Sequence, residues 1–280
     1  MELSVVVTCY KNPALLRLCL NSIKGSLLGF NSEIIVADSE TGEETYDLMR
    51  EEFSFVHFIP NKKNVGFLAL VNQGIKIAKG KYIFIINGDI IVKDKSIHQL
   101  LNFIKKDPEI GIVAPRLINF DGSVQDSCFR FYTPMTIFYR RSFLKNFSFA
   151  KKHLDQFLMK KEKMTNDSID VDWVMGSAMM TSRAAIEKVG LMDKGYFMYF
   201  EDVDWCWRFW ENGYRVVYYP LAEVFHYHGR QSASKNIFQS ILFNKYTRIH
   251  IRSAIRFFLK NFGKMNPHLK YYQKRNYNLK

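Results

Sequence analysis

An α/β fold built on a doubly wound, mainly parallel sheet follows from two features of the sequence. Short β-branched apolar runs alternate with stretches of helical spacing, and the polar residues that stand out fall directly after those runs. Leu3 to Thr8 is the first strand, Pro13 to Ile23 a helix, Glu33 to Ala37 a second strand and Thr41 to Glu52 a second helix. His57 to Ile59 is a short third strand and Ala69 to Ala78 a third helix. Tyr82 to Ile86 is a buried strand running into Asn87-Gly88-Asp89; Lys95 to Lys105 is then helical and Ile110 to Pro115 extended. In such a sheet the ligand crevice lies beyond the carboxyl ends of the strands, where Thr8, Tyr10, Asp38, Asn87 and Asp89 fall. From Asp121 to Asp170 the periodicity weakens among mixed basic and aromatic residues, which predicts an irregular insertion over the crevice.

The chain has 280 residues, 48% of them hydrophobic, enough for one large α/β domain or one domain with an appendage. That composition excludes a disordered chain. Cys9, Cys19, Cys128 and Cys206 form no Cys-x-x-Cys pair, and Met1-Glu2-Leu3 runs into a strand without a basic, apolar leader. Free thiols in a reducing cytosol are the expectation. Apolar runs such as Ile83 to Ile86 are too short to cross a bilayer.

The net charge of +13 is concentrated at one end: Val224 to Lys280 holds twelve Lys or Arg and no Asp or Glu, which leaves the first 223 residues near neutral. Arg248, Arg252, Arg256 and Lys260, spaced by four, run beside Ile241, Leu242, Ile249, Ile251, Ile255, Phe258 and Phe262. That pattern reads as a basic amphipathic helix over about Ile237 to Lys280. It suits an anionic membrane surface, or an apolar side packed on the body with a solvated basic face, and the two are compatible. No nucleic-acid reader motif accompanies it.

Phe197-Met-Tyr-Phe-Glu201-Asp202-Val-Asp204-Trp-Cys-Trp-Arg208 sets three carboxylates among aromatics. Neighbouring, partly buried carboxylates are how proteins tune a base. With Asn87-Gly88-Asp89 and His226-Tyr-His228-Gly229, the stretch completes a set able to bind a metal diphosphate and activate a hydroxyl. A plain helix start, with Glu201, Asp202 and Asp204 complementing the dipole, is the competing reading.

Five motifs in order carry a resemblance. They are Val5-Val-Val-Thr8-Cys-Tyr10-Lys-Asn12; Asn64-Val-Gly66-Phe67-Leu-Ala69-Leu-Val-Asn72-Gln-Gly74; Trp173-Val-Met-Gly176 through Arg183; Gly190-Leu-Met-Asp193 through Arg208; and Gly213-Tyr214, Pro220 and His226-x-x-Gly229. From Leu3 to about Ser232 the chain resembles family 2 glycosyltransferases of the GT-A fold, within the group that includes rhamnosyltransferases of bacterial polysaccharide assembly.

The resemblance implies a nucleotide-sugar half over about 1–118, an acceptor half over about 119–232 and a basic extension over 233–280. It implies an inverting enzyme that moves a sugar from a dTDP- or UDP-linked donor, dTDP-rhamnose included, to a growing, lipid-linked polysaccharide at the inner face of the cell membrane. Asp89 and His226 become ligands of a manganese or magnesium ion, with His228 as the alternative imidazole. Asp38 becomes the carboxylate that meets the nucleotide base. Thr8, Tyr10, Asn64, Gly66, Asn72, Asn87, Gly88, Trp173, Gly176 and Arg230 become donor contacts. Asp202 becomes the general base that deprotonates the acceptor hydroxyl, with Glu201 orienting either the acceptor or the base. Asp204, from its place at the helix start, is expected to cap the helix that carries Trp205 to Trp210.

The chain departs from the family pattern at Ser39 and His228, where Asn and Gly are common, and Asn87 takes the Asn-x-Asp form of the strand-end motif, leaving Asp89 as its one carboxylate. A nucleotidyltransferase would want a Gly-rich basic loop after the first strand, which Thr8 to Pro13 is not. A noncatalytic membrane or nucleotide scaffold would have no need of Asp89, Asp202 and His226 together.

Overall fold

The computed structural model describes residues 1–227 and 244–278. At its centre β1 (Leu3–Tyr10) runs parallel to β2 (Ser32–Ser39) on one side and to β4 (Tyr82–Asn87) on the other, so Val7 faces Val36 and Ile86. β3 (His57–Asn61) extends the sheet beyond β2, also in parallel. Period-two alternation buries both faces of these strands: Val5 and Val7 enter one core cluster and Val6 the other. The first cluster lies under α1 (Pro13–Ser26), α2 (Glu43–Glu51) and α4 (Ser96–Lys105), and the second under α3 (Phe67–Ile77). Helix α1 starts where Asn12 accepts a hydrogen bond from the Leu15 N–H at 3.1 Å.

Beyond β4 the sheet is mixed. β10 (Ala178–Ser182), from the second half of the chain, inserts antiparallel between β4 and β6 (Ile110–Ile118), pairing Ala178 with Ile86 and Met180 with Val113. The long strand β11 (Arg215–His226) then runs parallel to β6, and β5 (Ile90–Val92) closes the edge against it, antiparallel, with His226 opposite Ile90. The two halves therefore share one sheet, and strand direction beyond β4 is something apolar runs alone do not encode.

The stretch read as irregular holds two helices. After β7 (Cys128–Phe129) come α5 (Pro134–Arg141) and α6 (Ser148–Phe157), joined through a single 3-10 turn, followed by β8 (Ile169–Asp170) and β9 (Trp173–Val174). Phe138, Phe143, Phe147 and Phe149 are exposed there, so apolar residues do not mark the inner face and the helical period is hidden. The crossover helix α7 (Arg183–Val189) and α8 (Glu201–Glu211) complete this second half of the chain, the one expected from sequence to hold the acceptor.

The C-terminal segment is two helices laid against this half, α9 (Lys245–Lys260) and α10 (Pro267–Asn278). Phe257 is buried 5.7 Å from Trp207, ring to ring, and His268 stacks on Trp210 at 4.0 Å while meeting Asp172 Oδ1 at 2.6 Å. The basic ridge divides. Arg256 and Lys260 both reach Asp193, and Lys260 also reaches the buried Asp204 at 2.7 Å. The apolar stripe divides too, since Ala254 and Phe257 face in while Ile255, Leu259 and Phe262 are 54%, 73% and 88% exposed. Ile241 and Leu242 lie outside the described residues. No described helix is long and apolar enough to cross a membrane.

Candidate active site

At the carboxyl ends of β1, β2 and β4 a cleft of about 270 Å³ is lined by Thr8, Tyr10, Ser39, Asn64, Gly66, Asn87, Gly88 and Asp89. Local bonding shapes it. Thr8 donates to Asn87 Oδ1 at 3.1 Å, the Gly88 N–H donates to the Thr8 carbonyl at 2.7 Å, and Tyr10 donates to Glu40 at 3.1 Å. Asn64 Oδ1 accepts from the Gly66 N–H at 3.0 Å. Gly66 sits at φ +82°, and a Cβ there would stand 2.6 Å from the Phe197 carbonyl, so no other residue fits this turn. Behind Cys9, Asp38 is buried, and burial pushes its pKa up against the weaker, opposing contacts of Thr41, Cys9 and the Ser39 N–H, none of which makes a well-formed hydrogen bond to its oxygens. A buried carboxylate so poorly partnered is costly unless something brings a better donor to it.

Asp89 and His226 come together at the edge of this cleft, Nε2 to Oδ1 at 3.5 Å. Gln125 explains the ring's orientation. Its Nε2 donates to the His226 carbonyl at 2.9 Å and to Asn119 Oδ1, which fixes the amide, so its Oε1 accepts from His226 Nδ1–H at 2.8 Å. The other ring nitrogen is the one 3.5 Å from Asp89 Oδ1, which is buried without a hydrogen bond. A proton or a cation between imidazole and carboxylate suits that arrangement. Burial also pushes Asp89 up to about 6. Among the described residues no group of three or more His, Cys, Asp or Glu side chains gathers, and Asp89 and His226 are the two described side chains that could hold a cation here. The residues fit that role, and Gln125 is an orienting partner of the kind metal-binding histidines have.

The second cleft, about 570 Å³, holds Glu201 and Asp202 with Gln125, Tyr132, Arg140, Trp173 and His250. Tyr199 and Phe200 both take left-handed backbone, at φ 67° and 66°, immediately before α8. Two consecutive aromatics in that region are strained, and the turn sets Glu201 and Asp202 on the helix's first turn. Asp202 Oδ2 accepts from the Gly176 N–H at 3.0 Å and Oδ1 from the Val203 N–H at 2.9 Å. Burial raises the pKa of both carboxyls, and the charge of Asp202 raises Glu201 further, well above the usual range. The two carboxyls therefore titrate as a pair, with Glu201 the more strongly raised.

The clefts are joined by main chain. The Asn87 N–H donates to the Ser177 carbonyl at 2.9 Å, and Ser177 follows the Gly176 that holds Asp202. Gln125 borders both, orienting His226 while lining the Asp202 cleft. A larger cavity, about 860 Å³ between α3 and α9, contains none of these carboxylates.

The donor-side part of this site, through Gly176 and Ser177, falls within a family match, and Glu201, Asp202 and His226 lie beyond it. Residues 4–190 fit the model for glycosyl transferase family 2. The chain belongs to this family. The N-acetylglucosaminyl-diphospho-decaprenol L-rhamnosyltransferase of Mycobacterium tuberculosis is 27% identical over 72% of this chain and 69% of its own length. Rhamnosyltransferase WbbL of Escherichia coli K12 is 28% identical over 68% of this glycosyltransferase and 66% of its own length. A crystal structure of GalNAc-T7 with UDP, GalNAc and Mn2+ superposes with a TM-score of 0.57 at 17% identity, over 88% of this chain and 49% of that one, and shows that the fold is GT-A.

Three of the residues assigned from sequence sit differently in the glycosyltransferase. Asn72 is buried, and both ends of its amide bond the Met192 main chain, at 2.9 and 3.1 Å, so it ties α3 to the acceptor half instead of meeting a donor. Trp173 lines the Asp202 cleft, donating Nε1–H to the Arg130 carbonyl and stacking on Phe129 at 4.4 Å. Asp204 caps nothing: its carboxylate pairs with Arg208 at 3.1 Å and with Lys260. Arg230 and His228 lie outside the described residues. Gln125, Arg140 and His250 went unmarked in the sequence because they sit in segments without a motif.

Proposed function

We propose that the chain is an inverting glycosyltransferase that moves a sugar, rhamnose in the first instance, from a dTDP- or UDP-linked donor to a hydroxyl of a lipid-linked saccharide. The observation that carries this reading is the placement of a buried, ionisable base beside a diphosphate-sized polar cleft: Asp202 is fixed by Gly176, one residue from the Ser177 that bonds Asn87. The donor lies along Thr8, Asn64, Gly66, Asn87 and Gly88, with the base N–H at Asp38. Asp89 and His226 would hold a manganese or magnesium ion, which when bound neutralises charge on the departing diphosphate. Asp202 takes the proton of the acceptor hydroxyl as its oxygen bonds to the anomeric carbon and the nucleoside diphosphate leaves from the opposite face. A single displacement inverts that carbon. The name of the mycobacterial relative, a rhamnosyltransferase acting on a diphospho-decaprenol-linked sugar, supports both the donor and the acceptor class.

The test is direct. dTDP-rhamnose, UDP-glucose and UDP-N-acetylglucosamine are each incubated with the protein, manganese and a membrane extract carrying lipid-linked saccharides, and nucleoside diphosphate release is followed. Release from one donor only, dependent on the extract, is the expected result; release from none overturns the reading.

Peripheral contact with the cytoplasmic face of the membrane belongs to the same proposal, with residues 1–232 as the catalytic unit and 233–280 as the basic extension. The exposed Leu259 and Phe262, close to Arg248, Arg252 and Lys264 on α9 and the turn after it, support contact at an anionic interface. Removing 233–280 would uncover Trp207 and Trp210, so the informative change is on the surface. Leu259→Ser/Phe262→Ser is expected to float at least about fivefold less with phosphatidylglycerol liposomes and to melt as wild type does, because these side chains are mostly in water. Equal flotation would remove membrane contact from α9.

A further inference from the structure

Most arginines of this protein, Arg208 and Arg215 among them, hold a carboxylate. Arg140 and Arg141, at the end of α5, are charged donors without one among the described residues. Arg140 lines the Asp202 cleft, and its guanidinium is held in place: Nη1 donates to the Tyr132 hydroxyl at 3.0 Å, and the charge lies over the rings of Phe157 and Tyr132 at 5.5 and 6.0 Å. Stacked this way, a guanidinium keeps its remaining edge donors for a planar or tetrahedral anion. Arg141 stands beside it across His250, Nη2 to Nδ1 at 3.4 Å. His250 also lines the cleft; burial first, then the charges of Arg141 and Arg140, lower its pKa to about 4, so it stays neutral and can accept from Arg141.

The cleft is thus polarised, with the acidic pair Glu201 and Asp202 in it and a guanidinium, Arg140, that pairs with no carboxylate among the described residues. An acceptor with a sugar hydroxyl at one end and a phosphate at the other is favoured in one orientation, because the acidic pair repels the phosphate. Resting on the glycosyltransferase reading and its diphosphate-linked lipid acceptor, we propose that Arg140 and Arg141 are the residues that bind the acceptor's phosphate. The surroundings favour a lipid: from Ser127 to Leu154 the chain has no acidic residue, and Phe138 and Phe143 on and after α5 are exposed.

Phosphate on a lipid could also be a bilayer headgroup, and the test separates the two. Protein in EDTA without donor is titrated with geranyl diphosphate and, separately, with monomeric dihexanoyl phosphatidylglycerol, following tryptophan fluorescence. For wild type, geranyl diphosphate is expected to bind well above the phosphodiester. Arg140→Gln/Arg141→Gln should weaken it about a hundredfold, the loss of two charge-assisted contacts. Arg140→Lys/Arg141→Lys should lose about tenfold, keeping charge without the fork. Asp89→Asn should stay within about twofold, since a change there marks the probe among the donor residues. Unchanged affinity in the glutamine variant, a dependence on Asp89, or equal binding of the phosphatidylglycerol overturns the assignment. No donor enters this titration, so a protein that passes it yet transfers no sugar would overturn the transfer mechanism alone.

Discussion

Asp202→Asn is expected to lower turnover at least about a hundredfold, the usual worth of a positioned base, while donor affinity barely moves. The carboxylate receives two backbone N–H groups, from Gly176 and Val203, and an amide can accept only one of them without turning its own NH2 toward the other. The helix itself should hold, because α8 is anchored elsewhere: Trp205 is fully buried, and Arg208 bonds Asp204 and the Val189 and Leu191 carbonyls. The pH profile is a second readout. A base must be ionised, and burial raises Asp202 from an ordinary value of 3.8, so wild-type kcat should fall on the acid side starting well above pH 4. Activity level to pH 4, or lost nucleotide binding with intact turnover of bound donor, would move Asp202 out of the base role.

How much of this was legible in the sequence depends on what each residue does. β1, β2 and β4 were readable because both faces are buried, which leaves uninterrupted β-branched runs, and their carboxyl ends placed Thr8, Asp38 and Asp89. Glu201 and Asp202 were readable because carboxylates among aromatics contradict a plain core. Asn72 was misassigned for an instructive reason: a polar residue in a motif looks the same whether its partner is a ligand or the main chain of Met192, 120 residues away. Gln125 was invisible because its meaning comes wholly from a contact with His226, made across the sheet edge. The C-terminal helices were legible as basic and amphipathic, but the face they bury carries Ala254 and Phe257, while much of the apolar stripe, Ile255 and Phe262 included, points outward.

Such long-range contacts also explain why the acceptor half needs its C-terminal helices. Asp193 follows the Met192 that holds Asn72, and it is gripped by Arg256 and Lys260 of α9, which together with the Gly195 N–H keep its pKa well below the usual carboxylate range against the opposing effect of burial. Asp204, two residues after the proposed base on α8, shares Lys260. The segment that resembles an appendage in composition therefore braces the helix that carries Asp202.

The other large effect is expected at Asp89. Asp89→Ala should abolish transfer from the donor, and wild type in excess EDTA should lose activity that manganese or magnesium restores. If Asp89 and His226 form the cation site, Gln125→Leu should weaken the cation about 10- to 100-fold without touching either ligand, as loss of an orienting partner does. Manganese titration followed by paramagnetic resonance reads this without any transfer. Folding gives an independent check. A carboxyl raised from 3.8 to about 6 by burial disfavours the native state as pH climbs between those values, because the unfolded chain releases the proton first. Without metal, Asp89→Ala should therefore melt at least as high as wild type at pH 7, with the difference shrinking as pH falls toward 4. Full transfer in EDTA, or a variant that loses activity only because it no longer folds at pH 7, would take the cation away from Asp89 and leave its burial beside His226 as a structural pairing.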